Sequence, residues 1–214
     1  MNSSQLTSLA ILGLSLIFSQ QSFAIGDAAK PLQQQWAEVK YQTPEKARED
    51  AFEKLAEQAK QVEQQHPQDP EVLVWEAIIL STYAGEKGGF GALGLCKDAK
   101  ALLERAEKID PNVLNGSIYT SLGSLYYQVP GWPIGFGNDD KAEKYLKKAL
   151  ALNPDGIDAN FFYGDYLLEE GRYQEAVAAL EKALHAPARP EREIADAGRR
   201  AEIQAKLKQA KDEL

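Results

Sequence analysis

The sequence predicts an all-α fold, a short solenoid of about three stacked antiparallel helix pairs with capping helices at its N- and C-terminal ends. Three observations in the 214-residue chain point there. After residue 44, apolar residues recur at three- and four-residue spacing in stretches rich in Ala, Leu, Glu and Lys, with almost no alternating, strand-type pattern. Pro67, Pro70, Pro111, Pro154 and Pro187 punctuate these stretches, the last three at spacings of 43 and 33 residues, the second of them close to a helix-pair repeat of ~34 residues. Between those prolines one arrangement of small and large side chains returns in register.

Residues 1–24 are expected to be a secretory signal peptide. Leu6 to Phe18 is mostly apolar, Ser22-Phe23-Ala24 is a small-x-small cleavage pattern, and the run is too short to span a bilayer. The remainder, 25–214, reads as one domain. A first long amphipathic helix is expected at 44–65, with Ala51, Leu55, Ala59 and Val62 on one face. The repeats follow at about 72–111, 112–154 and 155–187. In the second, Tyr119, Leu122, Gly123 and Tyr126 share one helix, and Ala142, Leu146 and Ala149 the next. The third offers Tyr163, Gly164 and Leu167, then Ala176, Leu180 and Ala183. The first is degenerate, with Trp75 and Ile78, then Ala99, Leu103 and Ala106, and Ile79 in place of the small residue. A small residue at the crossing lets two helices approach, and large neighbours fill the seam. A charged helix at 190–214, carrying Ile194, Ala197, Ala201, Ala205 and Leu207, is the C-terminal cap.

Two of the three hairpins carry an expected inserted loop where the third turns within Glu170-Gly171-Arg172. These are residues 85–96 and 129–139, and each contains Gly-Phe-Gly, at 89–91 and 135–137. Equivalent places in adjacent repeats should bring them side by side. Phe90, Trp132 and Phe136 are therefore candidate loop-site residues, either exposed for recognition or folded back as plugs under the loop. Pro130 and Pro133 flank Trp132 and should stiffen the tip.

The chemistry of enzymes is missing. No Ser-His-Asp arrangement, nucleophile elbow or H-E-x-x-H occurs. Residues 89–94 spell G-x-G-x-x-G, but a helix, not a strand, precedes them, which argues against a dinucleotide. His66 and His185 are too few and scattered for a zinc site, and no cofactor or metal is expected. Cys96, the single cysteine, precludes an internal disulfide and reads as a small packing residue. The formal net charge of −8 argues against nucleic acid and anionic membranes as partners, and no span is expected once the leader is cleaved.

The repeats resemble the tetratricopeptide superfamily over 72–187. A narrower resemblance lies in Val129-Pro130-Gly131-Trp132-Pro133-Ile134-Gly135-Phe136-Gly137, Lys141-Ala142, Ala149-Leu150 and Asn153-Pro154-Asp155-Gly156-Ile157-Asp158. This stretch is similar to the T component that accompanies tripartite ATP-independent periplasmic (TRAP) transporters. That resemblance implies a bacterial periplasmic protein that associates with a solute-binding protein. The chain lacks the lipidation cysteine common in that family. The terminal Lys211-Asp212-Glu213-Leu214 gives the alternative of the endoplasmic reticulum lumen in a eukaryote.

The repeat resemblance also implies a concave groove floored by the first helix of each pair. The positions carried over are Glu76, Leu80 and Tyr83, then Thr120, Ser124 and Tyr127, then Phe161, Asp165 and Leu168. The leading expectation is a non-enzymatic scaffold that holds a protein or peptide partner in that groove. The alternative is a carrier in which the two Gly-aromatic loops close over a small apolar ligand. An enzyme is the remaining, lower alternative.

Overall fold

The computed structural model describes residues 25–214; the expected signal peptide at 1–24 lies outside the described residues. The described chain forms nine α-helices and no named strand. They are α1 (Lys30–Gln42), α2 (Glu45–Gln65), α3 (Pro70–Lys87), α4 (Gly89–Ile109), α5 (Ser117–Gln128), α6 (Asp139–Leu152), α7 (Ile157–Glu169), α8 (Tyr173–Leu184) and α9 (Glu193–Asp212). Successive helices pack as antiparallel neighbours, most extensively α3 on α4, α5 on α6 and α7 on α8, with α2 against α3 and α8 against α9. The protein is an all-α, tetratricopeptide-like solenoid.

Local sequence sets the helix starts. The Asp69 carboxylate accepts from the amides of Glu71 and Val72, and Pro70 fills the first turn of α3, where its missing N–H costs nothing. Asn138 accepts from the amide of Lys141 at 2.8 Å, and Asp139 and Asp140 then sit where the helix dipole favours negative charge. Pro154 and Gly156 separate α6 from α7, and the Asn160 amide ties that turn down by donating to both carbonyls at 2.9 Å.

The core forms three joined clusters. The middle one is built on Leu73, Leu103, Tyr119 and Leu122, the C-terminal one on Leu146, Leu167, Leu180 and Ile203, and the N-terminal one on Leu32, Trp36, Phe52 and Trp75. Gly123 and Gly164 occupy equivalent crossings. A Cβ at Gly123 would lie 2.6 Å from Leu146 Cγ, and one at Gly164 2.7 Å from Leu180 Cγ. Each hairpin thus closes on a leucine that needs the glycine opposite it.

Two expectations are corrected. Residues 85–96 are not a loop: they are helical apart from Gly88, whose φ of 62° makes the turn between α3 and α4. Leu93, Leu95 and Cys96 pack against the core from the first turns of α4, and that burial outweighs the low helix propensity of the glycines. Helix α1 is an element with no counterpart in the sequence reading. It pairs with α2 and also touches α3 and α9.

Candidate functional site

Helices α3, α5 and α7 present their concave faces to one interior space, as the repeat pattern implies. What the pattern does not imply is that the open side is spanned. Helix α9 swings back onto α1. The Tyr41 hydroxyl donates to Glu202 at 3.1 Å, and Lys30 pairs with Glu191 at 2.6 Å. Ala195 and Ile194 of α9 join the cluster formed by α1, α2 and α3. Gly198 makes the close approach possible, since a Cβ there would lie 2.2 Å from the Tyr41 ring. The groove expected from the repeats is therefore a central cavity of 550 Å³ inside a closed ring of helices.

The cavity wall is aromatic and polar at once. Trp36, Trp75, Phe161 and Phe162 are its aromatic lining, with Arg192 over the Trp75 ring and Arg199 over both phenylalanines. Trp36 donates its Nε1 proton to Thr82 at 2.9 Å, whereas Trp75 Nε1 is buried without a partner. Ser117, Thr120, Ser121 and Ser124 line the α5 side; the hydroxyls of Ser117, Thr120 and Ser124 donate to carbonyls of their own chain segment. Ion pairs close the remainder: Lys40 with Glu86 at 3.3 Å, Lys206 with Asp165 at 2.8 Å, and Arg199 with Asp158 at 2.8 Å and with Glu202 at 2.6 Å. A second chamber of 570 Å³, towards the α6–α7 turn, shares Trp75, Ser117, Thr120, Asp158 and Arg192 with the first.

Electrostatics follow from this packing. Burial alone would raise the Asp158 carboxyl, but Arg189 and Arg199 beside it hold it well below the usual carboxylate range. Burial, with Arg189 nearby, lowers Arg192 to about 10, so it remains a cation at neutral pH. Burial, reinforced by Asp165, pushes the Tyr127 hydroxyl well above the ordinary phenol value; it donates to Asp165 at 2.7 Å.

Of the expected groove residues, Thr120, Ser124, Phe161 and Asp165 line the cavity. Glu76, Leu80, Tyr83 and Leu168 are buried elsewhere in the packing. Tyr83 is turned to α2, where its hydroxyl donates to Glu53 at 2.9 Å, and Tyr127 is held on Asp165. The expected floor is thus corrected for these positions: helical phase turns them from the cavity axis into the seams between neighbours. The expected site residues missed two groups: wall residues on the repeat helices themselves, such as Trp75, Thr82, Ser121 and Phe162, and those from the two ends, Trp36 and Lys40 on α1 and Arg192, Arg199, Glu202 and Lys206 around α9. Trp36 is the one legible signal, a large aromatic ahead of the first expected helix.

Glu76 yields a prediction of its own. It is 6% exposed, and its Oε2 is buried without a partner. Burial, with Glu63 nearby, pushes its carboxyl up from 4.5 to about 7. The unfolded chain ionises this group near its ordinary value while the folded chain keeps the proton, so stability falls as pH rises through that window and stays lower above it. Glu76→Gln is expected to raise the unfolding free energy at pH 8 by roughly 2 kcal/mol and leave it nearly unchanged at pH 4. Urea unfolding at both values is the check; an equal gain at both would sever the effect from ionisation.

The loop residues divide. Residues 129–138 form the one true insertion, fixed by amide bonds from Gly137 to Pro130 O at 3.0 Å and from Asn138 to Tyr126 O at 2.8 Å. A Cβ at Gly137 would lie 1.8 Å from Val129 O, so the backbone doubles back tightly. Trp132 is 90% exposed and Ile134 65%. Phe136 is half-buried, edge-on to Tyr126 with ring centroids 5.6 Å apart. Phe90 falls in the first turn of α4, and its side chain lies outside the described residues. Neither Trp132 nor Phe136 lines the central cavity. Among the described residues no cluster of His, Cys, Asp and Glu suits a metal ion, and no helix is long and apolar enough to cross a membrane.

The chain is similar to a solved structure of MamA, at 21% identity over 78% of this chain and 92% of that one, with a TM-score of 0.44. It is also similar to a thermophilic tetratricopeptide protein of Thermus thermophilus, at 22% identity over 84% of this chain and 98% of that one, with a TM-score of 0.45. No curated protein sequence matches the chain. Residues 135–193, which span α6, α7, α8 and the turns around them, match the tetratricopeptide repeat family model.

Proposed function

We propose that this protein is a non-catalytic interaction scaffold of the bacterial periplasm, docking a protein partner through the tip of the 129–138 loop. The observation that carries this reading is Trp132, an indole 90% exposed on a loop whose backbone is tied down on both sides. A large apolar side chain held in water by a rigid loop offers contact area at small entropic cost. The finer reading is that of a T component serving a TRAP transporter, with a periplasmic solute-binding protein as partner. Its support is the sequence resemblance across 129–158.

Two substitutions test the scaffold. Trp132→Ala is expected to shift the melting temperature by no more than a few degrees while abolishing capture of partners from a periplasmic extract. Phe136→Ala, which removes a ring packed on Tyr126, is expected to cost roughly 2 kcal/mol of stability. A Trp132→Ala protein that captures the same partners as wild type would refute the loop as the docking site.

A second reading, a small-molecule carrier, draws its support from the central cavity and not from the Gly-aromatic loops. Its volume is that of a ligand pocket, and its wall sets four aromatic side chains among polar and charged ones.

A further inference from the structure

The cavity wall carries a cation without a carboxylate. Lys40, Arg199 and Lys206 each have an ion-pair partner within 3.3 Å. Arg192 has none among the described residues, and its side chain donates no hydrogen bond to them. Its guanidinium carbon lies 5.3 Å from the centroid of the Trp75 ring. Arg192 and Trp75 line both chambers, so the pair stands where the two meet. Arg192 Nε and Trp75 Nε1 are both buried without acceptors, and Trp75 itself is only 4% exposed. Two neighbouring donors left unpaired in one interior are costly, and an acceptor supplied from outside relieves that cost.

We infer that the cavity binds a small aryl-alkyl monocarboxylate, with its carboxylate on Arg192 beside Trp75 and its apolar body between Trp36, Phe161 and Phe162. The inference rests on the carrier reading and names its ligand class. A carboxylate fits because guanidinium and carboxylate are planar and pair through two parallel hydrogen bonds. A single negative charge fits because one cation is unpaired; a phosphate dianion would bring excess charge next to Asp158, Asp165 and Glu202. An aromatic or alkyl body fits the apolar side chains that line the site, of which Phe162 is only half-buried. A free small molecule fits better than a polypeptide, because the contact of α9 with α1 spans the side through which an extended chain would be laid.

The test uses the described chain in a Trp132→Phe background, so that fluorescence reports Trp36 and Trp75 in the cavity. 4-Phenylbutyrate and its neutral amide are titrated, with calorimetry alongside. The acid is expected to bind at least tenfold more tightly than the amide. Arg192→Met is expected to abolish that preference, and Arg192→Lys to retain a several-fold preference. The wild-type comparison of acid with amide needs no variant and stands even if Arg192→Met folds poorly. Equal binding of acid and amide by wild type would overturn the carboxylate assignment and leave the carrier reading intact. No binding of either would overturn both. A peptide ending in phenylalanine that binds more tightly than 4-phenylbutyrate would overturn the assignment to a free small molecule.

Discussion

Arg199→Ala is expected to destabilise the protein by about 3–5 kcal/mol. Arg199 is 7% exposed. Its Nε donates to Asp158 at 2.8 Å and one terminal nitrogen to Glu202 at 2.6 Å, while its guanidinium lies 4.3 Å from the Phe161 ring centroid. Through Glu202 and Tyr41 the same network reaches α1, so one residue joins α7, α9 and α1. Truncating it leaves Glu202 with only a phenol and Asp158 with Arg189 alone. Uncompensated charge in a part-buried site costs more than the pair contributes, so Arg199→Met combined with Glu202→Gln should recover much of the loss. The dependence on pH has a definite sign. Asp158 titrates below its ordinary value when folded, so its contribution is present above that value and is lost as pH falls beneath it. The penalty of Arg199→Ala should therefore be larger at pH 7 than at pH 3. Urea unfolding at the two values measures it, and a loss under about 1 kcal/mol at neutral pH would show that the ring closes without this residue.

Most of the fold was legible because hairpin packing is written locally. The Gly123–Leu146 and Gly164–Leu180 crossings, the Asp69-Pro70 start and the Asn138 cap are short-range signals, and the helices they delimit lie where periodicity puts them. Two local readings failed for opposite reasons. In 85–96, five glycines suggested a loop, but the apolar side chains between them gain more by packing than the glycines lose in entropy. In 30–42, a run of glutamines hid a helix whose buried face consists of little more than Leu32, Gln33, Trp36 and Ala37. The candidate site was legible only in part. Positions on α5 and α7 follow from the repeat, so Thr120, Ser124, Phe161 and Asp165 could be placed on the concave side. The closure of α9 onto α1 depends on contacts such as Tyr41 with Glu202, 161 residues apart, and no periodicity encodes these. Arg192 owes its significance to the partner it lacks, a property of the assembled ring.

Gly123→Ala is expected to cost about 1–3 kcal/mol even though alanine is the better helix former by ~1 kcal/mol. The added Cβ would lie 2.6 Å from Leu146 Cγ, 2.8 Å from its Cδ2 and 3.2 Å from its backbone nitrogen, so neither rotation of the leucine nor a small slide of α6 relieves it alone. Leu146 is fully buried, and Leu146→Ala by itself should cost roughly 2–5 kcal/mol through the cavity it leaves. The two changes are complementary in space. In the double variant the new methyl enters volume vacated by the leucine, so its loss should fall short of the summed single losses by about 1 kcal/mol or more. Gly94, in the interior of α4, is the control. A Cβ there meets nothing within 4 Å, and Gly94→Ala should stabilise the protein by about 0.5–1 kcal/mol. The same substitution thus has opposite signs at two helical glycines, according to whether another helix lies against the site. Strict additivity in the Gly123 and Leu146 cycle would mean that the second hairpin closes by sliding, and that the glycine in its crossing is there for backbone freedom and not for contact.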